Sequence, residues 1–384
     1  MSITQPENRM KVYLDNAATT PLDPAVFEEM KPYLTGTFGN PSSIHSHGRK
    51  AKAAVEVARK QVAELLNTSP SEIFFTSGGT EADNMAITCS VKSHDIQHII
   101  TSRLEHHAVL HTVEVLERSG TKVSYVDFDA RGEIDLDHLE QLLKQHTRSL
   151  VTLMHGNNEI GNLLDMGRVG ELCSEYGAVF HSDTVQTIGH YDHDLSQSKV
   201  HCVAGSAHKF HGPKGVGFLY LDAGHKIDPF IYGGAQERNM RGGTENVHGI
   251  IGLAKALEIA CANMEDHARH IRALKVSMIA QLQEAIPGIL FNGVSNEIDR
   301  SLYTVLNASL PPSENSDMML FNLDIKGISA SGGSACSSGT DVGSHVLKAL
   351  QADPDRGAVR FSFSKYTTEE EIQYAVAQLA ALYR

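Results

Sequence analysis

The sequence predicts an α/β protein, with a mostly parallel sheet in a large domain and a smaller α/β domain towards the C-terminal end. Three observations carry this expectation. Short apolar strands alternate with helical stretches from about residue 73 to residue 183. Residues 150–154 are almost continuously apolar, as in a strand covered on both faces. Small and polar residues gather just past several strand ends, where such sheets open their ligand crevice.

Composition narrows the class. The chain has 384 residues, 41% hydrophobic and 21% charged, which is ordinary for a globular enzyme with room for two cores. A net charge of -13 argues against a general nucleic-acid binder. No apolar run reaches the about 18 residues of a membrane helix. Residues 1–11 are polar and lack the apolar stretch of a signal peptide. A cytoplasmic protein is therefore expected, with no membrane or nucleic-acid partner. The five cysteines are scattered and form no CxxC pair, which argues against a disulfide framework or a zinc site. No HExxH pattern occurs among the 21 histidines, so no metal is expected.

In chain order, a strand at 12–14 runs into the turn Asp15-Asn16-Ala17-Ala18-Thr19-Thr20-Pro21. Pro24 opens a helix to about 33, and a second helix follows over 46–66. Strand 73–76 meets Ser77-Gly78-Gly79-Thr80, with a helix from Glu81. Strands at 98–101, 121–126, 150–154 and 178–183 alternate with helices at 107–117, 136–144 and 168–176. Strands 202–206 and 217–221 come next. A long helix with a possible break spans 247–284. Strands near 289–291, 302–306, 328–330 and 359–363 and a helix over 368–382 complete the chain. The expected division is a large domain at 17–265 and a small domain made of 1–16 and 266–384.

The chemistry collects at the strand ends. Lys209, in Ser206-Ala207-His208-Lys209, follows an apolar run, where partial desolvation favours a neutral amine able to form a Schiff base. Ser206 and His208 beside it are able to donate to a phosphate. The same stretch also fits a structural lysine beside a glycine-rich turn. Gly79 and Thr80, at a strand–helix junction, suit a phosphate through free backbone N–H groups, or form a tight turn with Thr80 as a cap. Asp183 and Gln186 lie past another strand, and Asp183 also suits a helix cap. Cys336 sits in Ser331-Gly332-Gly333-Ser334-Ala335-Cys336-Ser337-Ser338-Gly339, where an exposed thiol is a candidate nucleophile or an incidental free cysteine. The other four cysteines read as small core residues.

Ser206-Ala207-His208-Lys209, together with His181-Ser182-Asp183-Thr184-Val185-Gln186, resembles the cysteine desulfurases of the NifS/IscS type, which are class V pyridoxal-phosphate (PLP) enzymes. The resemblance runs from Leu14 to Ser362. It implies fold type I of the PLP-dependent transferases, a homodimer, pyridoxal 5'-phosphate as cofactor and L-cysteine as substrate. It implies sulfur transfer to an enzyme persulfide and onward to an unidentified acceptor protein, for iron–sulfur cluster or other sulfur-containing biosynthesis. By the same resemblance Lys209 carries the cofactor and Asp183 faces its ring nitrogen. Gln186 and Asn158 lie near its hydroxyl, and His106 stacks on the ring. Gly79, Thr80, Ser206 and His208 hold the phosphate, and Thr244 reaches the phosphate of the other subunit. Asn158 and Arg360 meet the substrate, and Cys336 accepts the sulfur. His107 has no such match.

Selenocysteine lyases, cysteine sulfinate desulfinases and other class V aminotransferases are the alternatives, and Cys336 discriminates against plain transamination. Two residues depart from the family pattern: Thr184 stands where alanine is usual, and Gly242 where serine is common. The housekeeping IscS proteins carry a C-terminal extension that docks the iron–sulfur scaffold. This sequence ends at Arg384 without it, which leaves the scaffold partnership open.

Overall fold

The structure, a computed structural model, describes residues 10–313, 318–332 and 343–383. The chain opens with β1 (Val12–Tyr13), α1 (Pro24–Thr35) and α2 (Ser46–Leu65). Asp23 caps α1 by accepting from the Ala25 amide, and Pro24 takes the first helical position. The alternating region follows: β2 (Ile73–Thr76), α3 (Gly79–Ser93), β3 (His98–Thr101), α4 (His107–Arg118), β4 (Lys122–Tyr125), α5 (Leu136–Gln145), β5 (Ser149–Thr152), α6 (Met166–Tyr176) and β6 (Val179–Asp183). Next come β7 (Cys202–Ser206), β8 (Gly217–Leu221), α7 (Val247–Ala262) and α8 (Met264–Ala285). The last part holds β9 (Leu290–Phe291), β10 (Val305–Ser309), α9 (Met319–Ile325), β11 (Ile328–Ser329), α10 (His345–Ala349), β12 (Ala358–Ser362) and α11 (Glu369–Ala381).

Among the described residues the main sheet has seven strands in the order β2-β8-β7-β6-β5-β3-β4. Every pair is parallel except those of β8, which runs antiparallel to both β2 and β7. Strands β5, β7 and β8 are buried along their whole length, which explains their unbroken apolar or small-residue runs. One face packs Val151, Phe180, Val203 and Phe218 against α2, α6 and α7. The other packs Leu219, Ile99 and Leu150 against Met85 and Ile87 of α3 and Val109 of α4. Full burial of one such side chain contributes about 1.5–3 kcal/mol.

A separate apolar core gathers Leu274, Met278, Leu306, Phe361 and Ile372 around the sheet β12-β10-β9. Val12 and Leu14 join it from the N-terminal end, with β1 parallel to β11. Residues 12–14 thus join the core built by the last third of the sequence.

Some elements differ from the sequence expectation. Helix α3 begins at Gly79, two residues before Glu81, so Thr80 is inside the helix and is not its cap. The long helix breaks at Asn263, where α7 and α8 meet at 73°. The strand expected at 302–306 starts at Val305. Helices α9 and α10 have 7 and 5 residues, too short for helical periodicity to show in sequence. No single helix among the described residues is long and apolar enough to cross a membrane.

Candidate active site

Strands β2, β3, β5, β6 and β7 end on the same edge of the main sheet. A cavity of about 200 Å³ lies there. Gly79, Thr80, His106, Asn158, Asp183, Gln186, Ser206, His208, Lys209 and Arg360 all line it. Six sequence-distant segments therefore converge on one crevice. Thr244 is exposed and does not line this cavity. Cys336 lies outside the described residues.

Lys209 closes a short turn, Ala207–Lys209, directly after β7. Its Nζ donates to the backbone carbonyls of Ala17 and Ala18, the latter at 3.0 Å. Gln186 donates to the same Ala17 carbonyl at 3.0 Å. Asp183 ends β6, buried, with Oδ1 accepting from the Val185 amide at 2.9 Å. Burial pushes its carboxyl above the usual range, against the pull of the Val185 amide and the Lys209 charge.

His106 caps α4: its Nδ1 accepts from the Ala108 amide at 3.1 Å. In the neutral ring the proton then sits on Nε2. Burial, and secondly the Lys209 charge, hold its pKa down at about 4, so the ring is neutral at pH 7. His107, without a family match, stacks instead with His111 at 4.8 Å between ring centres.

The phosphate side is set by close approach. A Cβ on Gly79 would fall 2.6 Å from Cγ2 of Val185, so only glycine allows α3 to start this near β6. The first turn of a 15-residue helix leaves backbone N–H groups without intrahelical partners. His208 lies beside it, with Nδ1 3.1 Å from Thr19 Oγ1. Glu81, also in this turn, accepts from the Ser77 amide at 2.9 Å and from Arg241 Nε at 2.8 Å. That ion pair fastens the loop bearing Thr244 to the start of α3.

Arg360, on β12, is 1% exposed. It donates from Nη2 to Asp15 Oδ1 at 2.8 Å and from Nη1 to the Asn158 carbonyl at 2.9 Å. Its Nε is buried with no hydrogen-bond partner among the described residues. The guanidinium is held rigidly in the cavity wall with donor capacity to spare.

Comparison with known proteins then decides the family. The aminotransferase class-V family model matches residues 12–375. The chain belongs to the class-V aminotransferase family. It is 42% identical over 373 residues to a cysteine desulfurase IscS of Dictyoglomus turgidum, covering 96% of this chain and 93% of that protein. The identity is also 42% to a cysteine desulfurase IscS of Methanosarcina thermophila, over 94% of this chain and 89% of the relative. Among solved structures, a NifS-like protein superposes with a TM-score of 0.89 at 37% identity, covering 97% of this chain and 99% of that one. A structure described as SspA in complex with cysteine gives 0.80 at 32% identity, over 94% and 100% of the two chains. The fold is type I of the PLP-dependent enzymes, and the protein is a PLP-dependent enzyme.

The cavity of this class-V protein fits the cofactor on its own chemistry. It offers a lysine amine, a buried aspartate on β6, a histidine ring fixed in one tautomer and a helix start narrowed by Gly79. Another buried atom of the wall, Asp83 Oδ1, makes no well-aligned hydrogen bond among the described residues and lies 3.3 Å from His181 Nε2.

Three contributors went unread in the sequence. The carbonyls of Ala17 and Ala18 act through the backbone, which leaves no side-chain signal. Asp15 grips Arg360, a pairing 345 residues apart. Asp83 carried a sequence signal, an acid flanked at one and two positions by the apolar Ala82 and Met85, both of which the helix buries.

Proposed function

We propose that this protein is a cysteine desulfurase that converts L-cysteine to L-alanine and keeps the sulfur as a persulfide on Cys336. The observation that carries the reading is the convergence of Lys209, Asp183, His106, Gln186, Asn158 and Arg360 on one cavity, in a chain 42% identical to named cysteine desulfurases. Bound pyridoxal phosphate supplies a reactive aldehyde and an electron-withdrawing ring. The chain's own residues do the rest. Lys209 provides the amine that anchors the cofactor and moves a proton at the substrate α-carbon. Asp183 faces the ring nitrogen, and the neutral His106 ring covers the cavity with a proton on Nε2. Gln186 and Asn158 orient the ring hydroxyl. Gly79, Thr80, Ser206 and His208 hold the phosphate, with Thr244 reaching it from a second subunit. Arg360, preset by Asp15, receives the substrate carboxylate.

Cys336 is assigned by sequence resemblance. Its thiolate forms an S–S bond to the substrate sulfur as the Cβ–S bond breaks. The electron pair stays with the carbon skeleton, which takes a proton and leaves as alanine. The persulfide then passes its sulfur to an acceptor protein, for iron–sulfur cluster or other sulfur-containing biosynthesis.

The proposed division is a large domain at 17–265 and a small one at 1–16 and 266–384, supported by the two separate apolar cores. The proposed assembly is a cytoplasmic homodimer, which light scattering tests as about twice the 41.8 kDa chain mass. The decisive experiment incubates wild type and Cys336→Ser with L-cysteine, measures alanine and maps persulfide by peptide mass spectrometry. The variant is expected to keep the cofactor absorbance and lose both products. Alanine release from cysteine at the wild-type rate would overturn the assignment.

A further inference from the structure

The wall of the cavity holds a second buried carboxyl that none of these roles uses. Asp83 lies on α3, in the turn after Gly79 and Thr80, and lines the same cavity as Asp183. It is 1% exposed, and its Oδ1 lies 3.3 Å from Nε2 of His181. His181 is fully buried and precedes Asp183 by two residues on β6, so their side chains share one face of the strand. The other ring nitrogen, Nδ1, meets Thr152 Oγ1 on β5 at 2.9 Å. Asp83 Oδ1 and His181 Nε2 have no other polar partner among the described residues. Each is the natural complement of the other.

We propose that Asp83 is a positioning residue: as a neutral acid it donates a hydrogen bond to His181 Nε2, and so leaves Asp183 as the anion that serves the cofactor nitrogen. This rests on the reading of Asp183 given above. The proton count closes without an outside donor. One proton sits on Asp83 Oδ1 and one on His181 Nδ1, directed at Thr152, and the pair has no net charge. The groups facing Asp83 favour this state. Asp183 on β6 and Glu105 before α4 are both buried acids, and His106 and Lys209 share the cavity. Three carboxylates in so dry a space would repel one another, so at most the one with a cationic partner stays ionised. Burial, with the Asp183 and Glu105 charges, drives the Asp83 carboxyl well above its ordinary range, and burial pushes His181 down to about 3. The neutral pair also spans three elements, α3, β6 and β5, and holds the strand that presents Asp183 at a fixed height.

The test reads the proton directly. Holoenzyme carrying carbon-13 at its aspartate side-chain carboxyls is examined by infrared spectroscopy at neutral pH. A carboxylic-acid carbonyl band that shifts with the label is expected, and the label separates Asp83 from any protonated Glu105. No such band in wild-type holoenzyme overturns the proposal, and this measurement needs no variant. Variants supply the second arm. Asp83→Ala, which removes the donor, is expected to weaken pyridoxal-phosphate binding to apoenzyme about tenfold, the cost of one buried hydrogen bond. Asp83→Asn, still a neutral donor, is expected to restore binding and to abolish the acid band. If Asp83 were ionised, Asp83→Asn would lower the pH midpoint of the cofactor absorbance by about one unit or more, which also overturns the proposal. Failure of the Asp183 assignment shows separately, as an unchanged cofactor spectrum in Asp183→Asn.

Discussion

Arg59→Leu should be among the costliest single changes outside the cavity. Arg59, on α2, donates to both carboxylate oxygens of Glu237, at 2.7 and 2.9 Å. The side chains of both partners are 3% exposed. Glu237 also accepts from the Phe75 amide at 2.8 Å, and Arg59 donates to the Ile73 carbonyl at 2.8 Å. Glu237, Arg238 and Asn239 hold φ angles of 43°, 55° and 68°, left-handed for three non-glycine residues in a row. Such residues cost about 1–3 kcal/mol each and persist only where the surroundings impose them. Arg59→Leu leaves the Glu237 carboxylate buried without its partner, which costs about 3–5 kcal/mol. The double variant Arg59→Leu/Glu237→Leu removes both charges and should lose about 1–3 kcal/mol, mainly for the Phe75 amide left unpaired. Ile73 keeps a donor, Arg238 Nη2 at 2.6 Å. The assay is urea unfolding of cofactor-loaded protein at one fixed protein concentration, since binding and association shift apparent stability. Hydrogen exchange over 236–244 should rise in the single variant. A loss below about 1 kcal/mol for Arg59→Leu, or a double variant less stable than the single one, would refute the reasoning.

Two further outcomes are expected. Lys209→Ala should end covalent attachment of the cofactor, and borohydride reduction followed by mass spectrometry should find none on the variant; wild-type-like trapping would refute the anchor. Asp23 ties α1 to the C-terminal region, accepting from Lys365 and from Tyr366 at 2.8 Å. Burial pushes its pKa up, but the Lys365 and Tyr366 hydrogen bonds outweigh it and bring the value to about 2. A depressed carboxyl contributes stability above its unfolded pKa of about 3.9, and that stability is lost as pH falls towards the folded value. Asp23→Asn should therefore be less stable than wild type at pH 7, with the gap closing between about pH 4 and pH 2. A gap that stays constant over that range would count against the linkage.

The seven-stranded sheet was legible because its elements repeat. Strands such as Ser149–Thr152, buried throughout, and amphipathic helices such as Leu136–Gln145 announce themselves locally. The site was legible where chemistry needs a side chain just past a strand, as at Asp183, Lys209 and His106. What stayed hidden depends on long-range contact. Nothing near Asp15 in sequence points to Arg360, and nothing near Arg59 points to Glu237, 178 residues away. Helix α3 began earlier than expected because Gly79 approaches Val185, a packing relation between α3 and the turn after β6. The short α9 and α10 owe their form to tertiary burial of Met319, Leu323 and Val346, and propensity alone does not mark them.

The segment from Asp15 to Ala18 ties the Lys209 side of the cavity to the Arg360 side. Its carbonyls at Ala17 and Ala18 take the Lys209 amine, and Ala17 also takes Gln186. Its Asp15 carboxylate takes Arg360 and, at 2.8 Å, Ser331 Oγ. The Ala17 amide donates to Ser362 Oγ at 2.8 Å, and Asn16 Nδ2 donates to the Ser362 carbonyl at 2.8 Å. Four consecutive residues therefore touch the lysine of the main sheet and the arginine strand of the second core. Any shift of β12 against β7 has to pass through them. Small side chains at 17 and 18 let the backbone itself lie in the cavity wall, close enough for its carbonyls to reach Lys209. A bulky residue at Ala17, which is 5% exposed and packed against Leu302 and Val305, would push the segment off both partners at once. The spacing of the Lys209 amine and the Arg360 guanidinium thus depends on the turn at residues 15–18, which contacts both, and not on either apolar core alone.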